Sequence, residues 1–442
     1  MTEILESCVE GKVKRYNDDD GWGFIEREGE PDVFFHASAL VCSPPYKGEK
    51  VVFDVIRSTS PKHDREAQAV RRAGVSRTTG DVIEWHVEPG SWDARGEIAP
   101  LDGTALLPFS IRDLRTPISG GGPKPRPWHG ATFAVAELVN GQQAVDVEID
   151  TRYPLQRFAY LGREEEMVKD LKGKALDEDW DYRNTASNKE SPILYNYLQF
   201  TFAKLRDEDR GLPPDQRKIR VLPDLTTPLA AFNTGLVDEK YKSIYALFEA
   251  NEAGRTQRWR YRAFCVAGEG HGKVLARYFN PLPKPAAYFH STSELLYDPD
   301  LPLHPDYSHI LTHNRDRLPQ EILDQIHGLD ESKAIRRLTS DLDAAIEVAK
   351  KRAQWNYKTA IPHYFPSFKR IELLLPLCLV EDNRVDVALS VQRLETAYLA
   401  NTILRLDWAY KSARLVCRPD SDWLAPKKIE QGPESLDLGD IE

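Results

Sequence analysis

Two short stretches, GWGFI at residues 21–25 and DVFFH at 32–36, restrict what this chain can fold into more than any other feature. A strand sends successive side chains to opposite faces, so Trp22 and Phe24 share one face and Phe34 and His36 do the same. Val13, Ile25, Val33 and Phe35 then supply the opposite, apolar face. The pattern predicts a small sheet with aliphatic residues inside and flat rings outside. Gly21 and Gly23 flank Trp22 and leave its neighbours without side chains, which we read as room for a nucleotide backbone to approach. Four rings on one surface suit unstacked bases.

Over residues 9–73 the chain resembles the cold-shock domain. GWGFI stands where that family has its first ribonucleoprotein motif and DVFFH where it has the second; Lys14 and Asn17 match its first strand, and KGEKVVFDV its fourth. The resemblance implies a five-stranded OB-type barrel that binds single-stranded RNA or DNA. It makes Lys14, Tyr16, Trp22, Phe24, Phe34 and His36 the nucleic-acid-binding residues. Arg15 replaces the family's usual tryptophan, Asp20 a common lysine and Ala37 a frequent phenylalanine. Each departure removes a stacking ring or a phosphate partner.

Residues 78–150 repeat the plan in altered form. RGEIAP aligns with GFIERE, FSIRDL with FHASAL, and GATFAVAEL mirrors GEKVVFDVI. The rings are gone: Arg95, Glu97, Pro108 and Ser110 stand for Trp22, Phe24, Phe34 and His36. A copy without rings reads as a spacer, a packing partner for the C-terminal domain or a shape reader, sooner than as an independent binder. Between its third and fourth strands, TPISGGGPKPRPWHG at 116–130 reads as a connector without regular structure. Its Lys124, Arg126, Trp128 and His129 offer cations beside an indole.

From 155 to 424 the pattern is mixed α/β. Ser191, as a cap, and Pro192 start a helix with Leu194, Tyr197, Leu198, Phe202 and Leu205 on one side. Glu331 to Tyr357 carries a second apolar stripe of Ile335, Leu338, Leu342, Ile346 and Ala349. Strands follow Pro366, apolar on both faces and therefore expected in a covered sheet. A capped helix follows Asp407, and an acidic tail, 425–442, is expected to be disordered. AAFNTGL, SHILTHNRDRLP, RAQWNYKTAIPHYF, LLLPLCL and ILRLDWAYKSARLV resemble an uncharacterised bacterial domain family found with RNA-binding modules. That resemblance implies a shared fold and a link to RNA or nucleotides, but no reaction. The expected architecture is multidomain: two small all-β OB-type barrels, then a larger α/β (α+β) domain.

Several residues here could carry chemistry. Asn233, Thr234 and Gly235 form a polar turn able to cradle a phosphate or base edge. Asn314, Arg317, Asn356, Lys358 and Arg414 lie within apolar segments, so Asp407 with Arg414, or Lys358 with a carboxylate, would be structural bridges. If they converge instead, Lys358, Arg317 and Arg414 form an anion pocket for a mononucleotide or an RNA end. His309 beside Asn314 and Arg317 is the candidate general acid or base. His309 and His313 have helical metal-pair spacing, but HILTH lacks a zincin glutamate and prolines precede it, so no metal site is assigned. No cofactor motif is evident, and a divalent metal is unsupported.

Five dispersed cysteines without a C-x-x-C pair point to a reduced, cytoplasmic setting. No apolar run reaches membrane-span length. The reading is a single-stranded nucleic-acid-binding protein, RNA more than DNA, whose C-terminal domain recognises a nucleotide or RNA end. The alternative is an RNA-processing or nucleotide-modifying enzyme with its active site there. The whole chain carries a formal charge of −10, and residues 1–73 hold eleven lysines and arginines against fourteen acids. Net attraction to phosphate therefore cannot dominate binding. A salt titration of oligonucleotide affinity is expected to give a slope far shallower than the roughly −5 that six phosphate contacts produce.

Overall fold

β1 (Ile4–Asn17), β2 (Trp22–Arg27), β3 (Glu30–His36), β4 (Lys50–Arg57) and β5 (Arg65–Arg72) close into a barrel in the order β1-β2-β3-β5-β4. The computed structural model describes residues 3–58, 60, 62–87, 94–138, 141–185, 191–252 and 255–432. It divides into two compact units, Met1–Pro154 and Leu155–Glu442. Within the first barrel Val13, Ile25, Val33, Phe35, Val51, Phe53, Val55, Ala67 and Val70 form the core. Alternation places most of them at inward positions, and in β5 the left-handed Ala69 lets Ala67 and Val70, three apart, both face inward.

β6 (Arg77–Val87), β7 (Ala94–Pro100), β8 (Leu107–Ser110), β9 (Gly130–Leu138) and β10 (Gly141–Asp150) form a second sheet in the order β10-β9-β6-β7-β8. That is the first barrel's cyclic order, and the parallel bridge Leu114–Val147 stands where Leu40–Val70 does. The correspondence extends to packing. A Cβ on Gly11 would meet Ile25 and Phe53, and one on Gly80 would meet Ile98 and Phe133. Gly23 abuts the Phe35 ring as Gly96 abuts that of Phe109. Ala69 and Asp146 share the same left-handed backbone, φ 52° and 53°. On this register GATFAVAEL sits two residues further along than the sequence alignment had it, because Phe133 takes the place of Phe53.

The first barrel and the second sheet are joined through a buried polar seam. Asp113 is fully buried, and its carboxylate accepts from Tyr46 Oη at 2.9 Å, from Gln143 Nε2 at 2.7 Å and from Ser110 N at 2.8 Å. Asp146 accepts from Ser43 N at 3.1 Å and from Arg77, and Ser43 Oγ accepts from the Asp146 N–H at 2.9 Å. Arg112 stacks over Tyr46 and pairs with Asp18 at 2.8 Å. Beside these groups Ala134, Ala136 and Val145 pack with Tyr46. Burial and the neighbouring Asp113 charge push the Tyr46 hydroxyl up to about 12.

The second unit follows one plan twice. It opens with α1 (Pro154–Phe158), β11 (Ala159–Tyr160), α2 (Glu164–Lys172) and α3 (Pro192–Glu208). Then come β12 (Arg220–Leu222), β13 (Leu229–Val237), β14 (Ser243–Ala250), β15 (Trp259–Val266) and α4 (Lys273–Tyr278). The sheet order is β11-β15-β14-β13-β12, antiparallel except that β11 runs parallel to β15. The second round holds β16 (Leu303–Pro305), α5 (Gln320–Ile326), α6 (Glu331–Trp355), β17 (Ile361–Phe365), β18 (Arg370–Leu377), β19 (Val387–Arg393), β20 (Tyr398–Arg405) and α7 (Leu406–Val416). Its order, β16-β20-β19-β18-β17, is the same, again with only the first strand parallel to the last. Each short first strand crosses over two helices before its meander begins. α3 packs on β13 and against α7, α7 on β17, and α6 covers the other face of the second sheet. β18 and β19 are therefore buried on both faces.

Three sequence expectations change. Ser191 stands at the start of α3 but does not cap it: its N–H donates to Asp181 at 3.0 Å and its backbone is left-handed. Residues 425–432 are ordered by packing, with Pro426 and Ile429 buried and the Gly432 N–H donating to Asp407 at 2.8 Å; 433–442 lie outside the described residues. The connector at 116–130 ends packed on β6, where Trp128 N–H donates to the Val82 carbonyl at 3.0 Å and His129 is buried.

The second sheet also encloses a buried chain of polar groups. His363 Nε2 lies 2.8 Å from Ser390 Oγ and Nδ1 3.1 Å from Ser412 Oγ, while Ser390 donates to Glu372. A neutral imidazole with its proton on Nε2 satisfies all of them. Burial, with help from the Arg370 charge, holds the His363 imidazole down to about 3. Its unfolded counterpart takes up a proton near pH 6.5, so between the two values the unfolded chain binds more protons. Stability is expected to be full above pH 6.5 and to fall as pH drops towards 3. Denaturant midpoints measured across that range should show the fall, and His363→Gln should flatten it.

Candidate nucleic-acid interface

The cross-strand register builds the outer face of the first barrel row by row. Arg15 pairs with Phe24 and Phe24 with Phe34; in the adjoining row Asn17 pairs with Trp22 and Trp22 with His36. The ring centroids of Trp22 and Phe24 are 5.9 Å apart and those of Phe24 and Phe34 5.7 Å, both edge to face. The four rings proposed from the sequence therefore form one continuous surface.

Two further groups join them. His63, in the loop between β4 and β5, stacks on Phe34 at 4.3 Å with the planes 10° apart, and meets Phe24 edge-on at 5.8 Å. The sequence reading missed it because the loop carries no strand periodicity to place a side chain. The guanidinium of Arg15 lies over the rings of Trp22, at 4.7 Å, and Phe24, at 5.2 Å. The position that lacks a family ring thus keeps a planar group on the same face.

Other candidates fall elsewhere. Tyr16 points inward, stacked on the core ring of Phe35 at 5.5 Å, because a register shift between Val13 and Arg15 turns both Lys14 and Arg15 outward. Gly23 also faces inward, where a Cβ would come 2.6 Å from the Phe35 ring and the Arg15 carbonyl. Its lack of a side chain serves core closure and not nucleotide approach. Lys14 is paired with Asp32 at 2.6 Å. Asp20 accepts from Asn17 Nδ2 at 2.7 Å and braces the β1–β2 turn, which accounts for an acid at this position.

The second unit does not assemble the anion pocket. Asn233 and Thr234 lie within β13, buried: Thr234 Oγ1 donates to the Ile244 carbonyl at 2.7 Å and Asn233 Oδ1 accepts from Gly235 N at 2.9 Å. The trio forms a left-handed irregularity within β13, where the register breaks between Asn233 and Val237, and its polar groups are spent inside the fold. Arg414 is bonded in a bidentate pair to Glu178 at 2.5 and 2.8 Å, between the rings of Trp180 and Tyr197. Asp407 is not its partner, since that carboxylate faces Arg405 and Gly432. Arg317 donates to Thr402 Oγ1 at 2.8 Å and lies over Trp408. Lys358 makes an exposed pair with Asp420 at 2.6 Å, and Asn356 Oδ1 accepts the Lys358 N–H. Each cation has its own partner.

His309 and His313 lie on a single π-helical turn with rings stacked 5.2 Å apart, and Asn314 behind them is buried. Among the described residues no three His, Cys, Asp or Glu side chains gather into a metal-binding group. A wide cleft of about 800 Å³, which the sequence did not indicate, runs between α2 and β15; Arg163, Asp170, Arg260 and His271 are among its lining. Inside it Tyr261 donates to Asp170 at 2.8 Å, and burial pushes the Cys265 thiol up to about 11, so it is no nucleophile near neutrality.

Comparison with known proteins agrees with this division. A family model described as "Domain of unknown function (DUF3825)" matches residues 171–423, more than half of the chain, and one described as "'Cold-shock' DNA-binding domain" matches 9–73. The chain belongs to the DUF3825 family and carries a cold-shock domain. This DUF3825 protein is 49% identical over 51 residues to the cold shock-like protein CspB of Bacillus cereus, covering 11% of the chain and 77% of CspB. It is 50% identical over 50 residues to cold shock protein CspC of Bacillus subtilis, covering 10% and 74%. Among solved structures, Drosophila Unr CSD456 aligns with 60% of the chain and all of its own length at 12% identity and a TM-score of 0.22, too low to argue from. The first barrel is thus a nucleic-acid-binding domain of the cold-shock type. No described helix is long and apolar enough to cross a membrane.

The geometry separates structural from surface cations in a way that can be measured. Removing one partner of a buried pair leaves the other charge uncompensated, at a cost of about 3–5 kcal/mol. Arg414→Ala is therefore expected to lower the unfolding free energy of the second unit by that amount. Lys358→Ala, at an exposed pair, should leave it nearly unchanged. Equal effects in chemical denaturation would reverse the assignment.

Proposed function

We propose that the protein captures single-stranded RNA, in preference to DNA, on the outer face of its cold-shock barrel. The observation that carries this reading is the two-row array in which Trp22, Phe24, Phe34 and His36 are contiguous and outward. RNA is favoured because unpaired bases are its usual recognition target. Residues 78–150 are a second, ring-free barrel of the same descent, supported by the shared strand order and matched core packing. It holds the first barrel in place through the Asp113 and Asp146 seam. Such a protein would work in the cytoplasm without a cofactor.

Within the second unit, recognition of the captured RNA is best supported at the end of α6. Trp355 is 89% exposed and Tyr357 64%, an unusual loss of apolar burial for two rings, and Lys351 and Lys358 stand beside them. Rings with neighbouring cations match a base and its phosphate. The earlier pocket residues Asn314, Arg317 and Arg414 give no comparable surface.

Each base stack is worth roughly 1–3 kcal/mol. Trp22→Ala and Phe34→Ala are each expected to weaken binding of a short single-stranded RNA about tenfold, read by fluorescence anisotropy. Trp355→Ala should weaken only longer RNA. Unchanged affinity in the first two variants would remove the platform reading.

A further inference from the structure

The array contains one group whose donors have no assigned use. Arg15 stands in a row with Phe24 and Phe34, on the face where bases stack, and its guanidinium is held over two rings. It is exposed, and among the described residues no carboxylate pairs with it. Its neighbour Lys14 differs, being tied to Asp32. An arginine fixed over an indole has lost little freedom still to pay on binding, and keeps its in-plane N–H donors outward.

Those donors suit one base edge above others. A base on Phe24 or Phe34 turns an edge towards the neighbouring position of its row. Guanine offers two adjacent acceptors, O6 and N7, at the spacing of a guanidinium fork; adenine offers a donor in place of one, and pyrimidines have no such pair. We propose that Arg15 is a specificity residue that reads a guanine stacked on the adjoining phenylalanine. The ring it replaces would add affinity for any base, whereas the guanidinium exchanges some of that for discrimination. This rests on the platform reading above.

The test compares four single-stranded RNA hexamers: all-uridine, and the same with one central guanine, adenine or 7-deazaguanine, which lacks N7. The native chain is expected to favour the guanine hexamer by on the order of tenfold, the worth of one bidentate pair. The preference should vanish with 7-deazaguanine and in Arg15→Ala. Arg15→Trp should raise affinity for all hexamers and lose the preference. If Arg15→Ala weakens all four equally and reduces the salt slope by about one, Arg15 contacts phosphate and the proposal is overturned; an unchanged guanine preference overturns it equally. Trp22→Ala, run alongside, keeps the readings apart. If that variant binds as the native chain does, the platform itself fails, whereas its loss of binding with no effect at Arg15 sinks only the guanine reading.

Discussion

In the first barrel and in the second sheet alike, strand glycines lie against the edges of core phenylalanines. Gly23 meets Phe35 and Gly11 meets Phe53 in the first, and Gly96 meets Phe109 and Gly80 meets Phe133 in the second. At each contact a methyl group would meet atoms already in place, so the strands can curl tightly, and in the first barrel close, only if nothing projects there. That closure fixes which residues point inward. Everything on the outer face of the first barrel, its rings and the arginine among them, follows from that packing.

Alternating strands were legible because each encodes its own two faces. The first barrel's core and its four outward rings could be read from the order of residues alone, and so could α6, α7 and the strands that follow Pro366. What could not be read depends on partners distant in sequence. Tyr16 looks like one more exposed ring until the register shift after Val13 reverses it. Asn233 and Thr234 look like an open polar turn, because the groups that satisfy them, the carbonyls of Pro283 and Ile244, lie further along the chain. Arg414 looks like half of a helix-borne bridge, yet its carboxylate comes from Glu178, far back in the chain. Polar residues announce a need for a partner but not where it lies. The repeated plan of the second unit escaped for the same reason: two sheets with one strand order share a topology without sharing a visible motif.

The two units use burial differently. In the first, polar groups close a seam between barrels, where a carboxylate with several donors acts as a directional joint. In the second, helices α3 and α7 meet between sheets whose strands are apolar on both sides, and the polar chain through His363 is enclosed instead of shared. Such a network narrows the number of ways the sheet can pack, at the cost of keeping an imidazole uncharged.

The second sheet carries charge where the first barrel is aromatic, with Arg95 and Glu97 at the places of Trp22 and Phe24. Cross-strand from Arg95 stands the exposed His86, where the first barrel has Asn17 beside Trp22. The aromatic face of the first barrel, four rings with His63 beside them, is matched to a few bases.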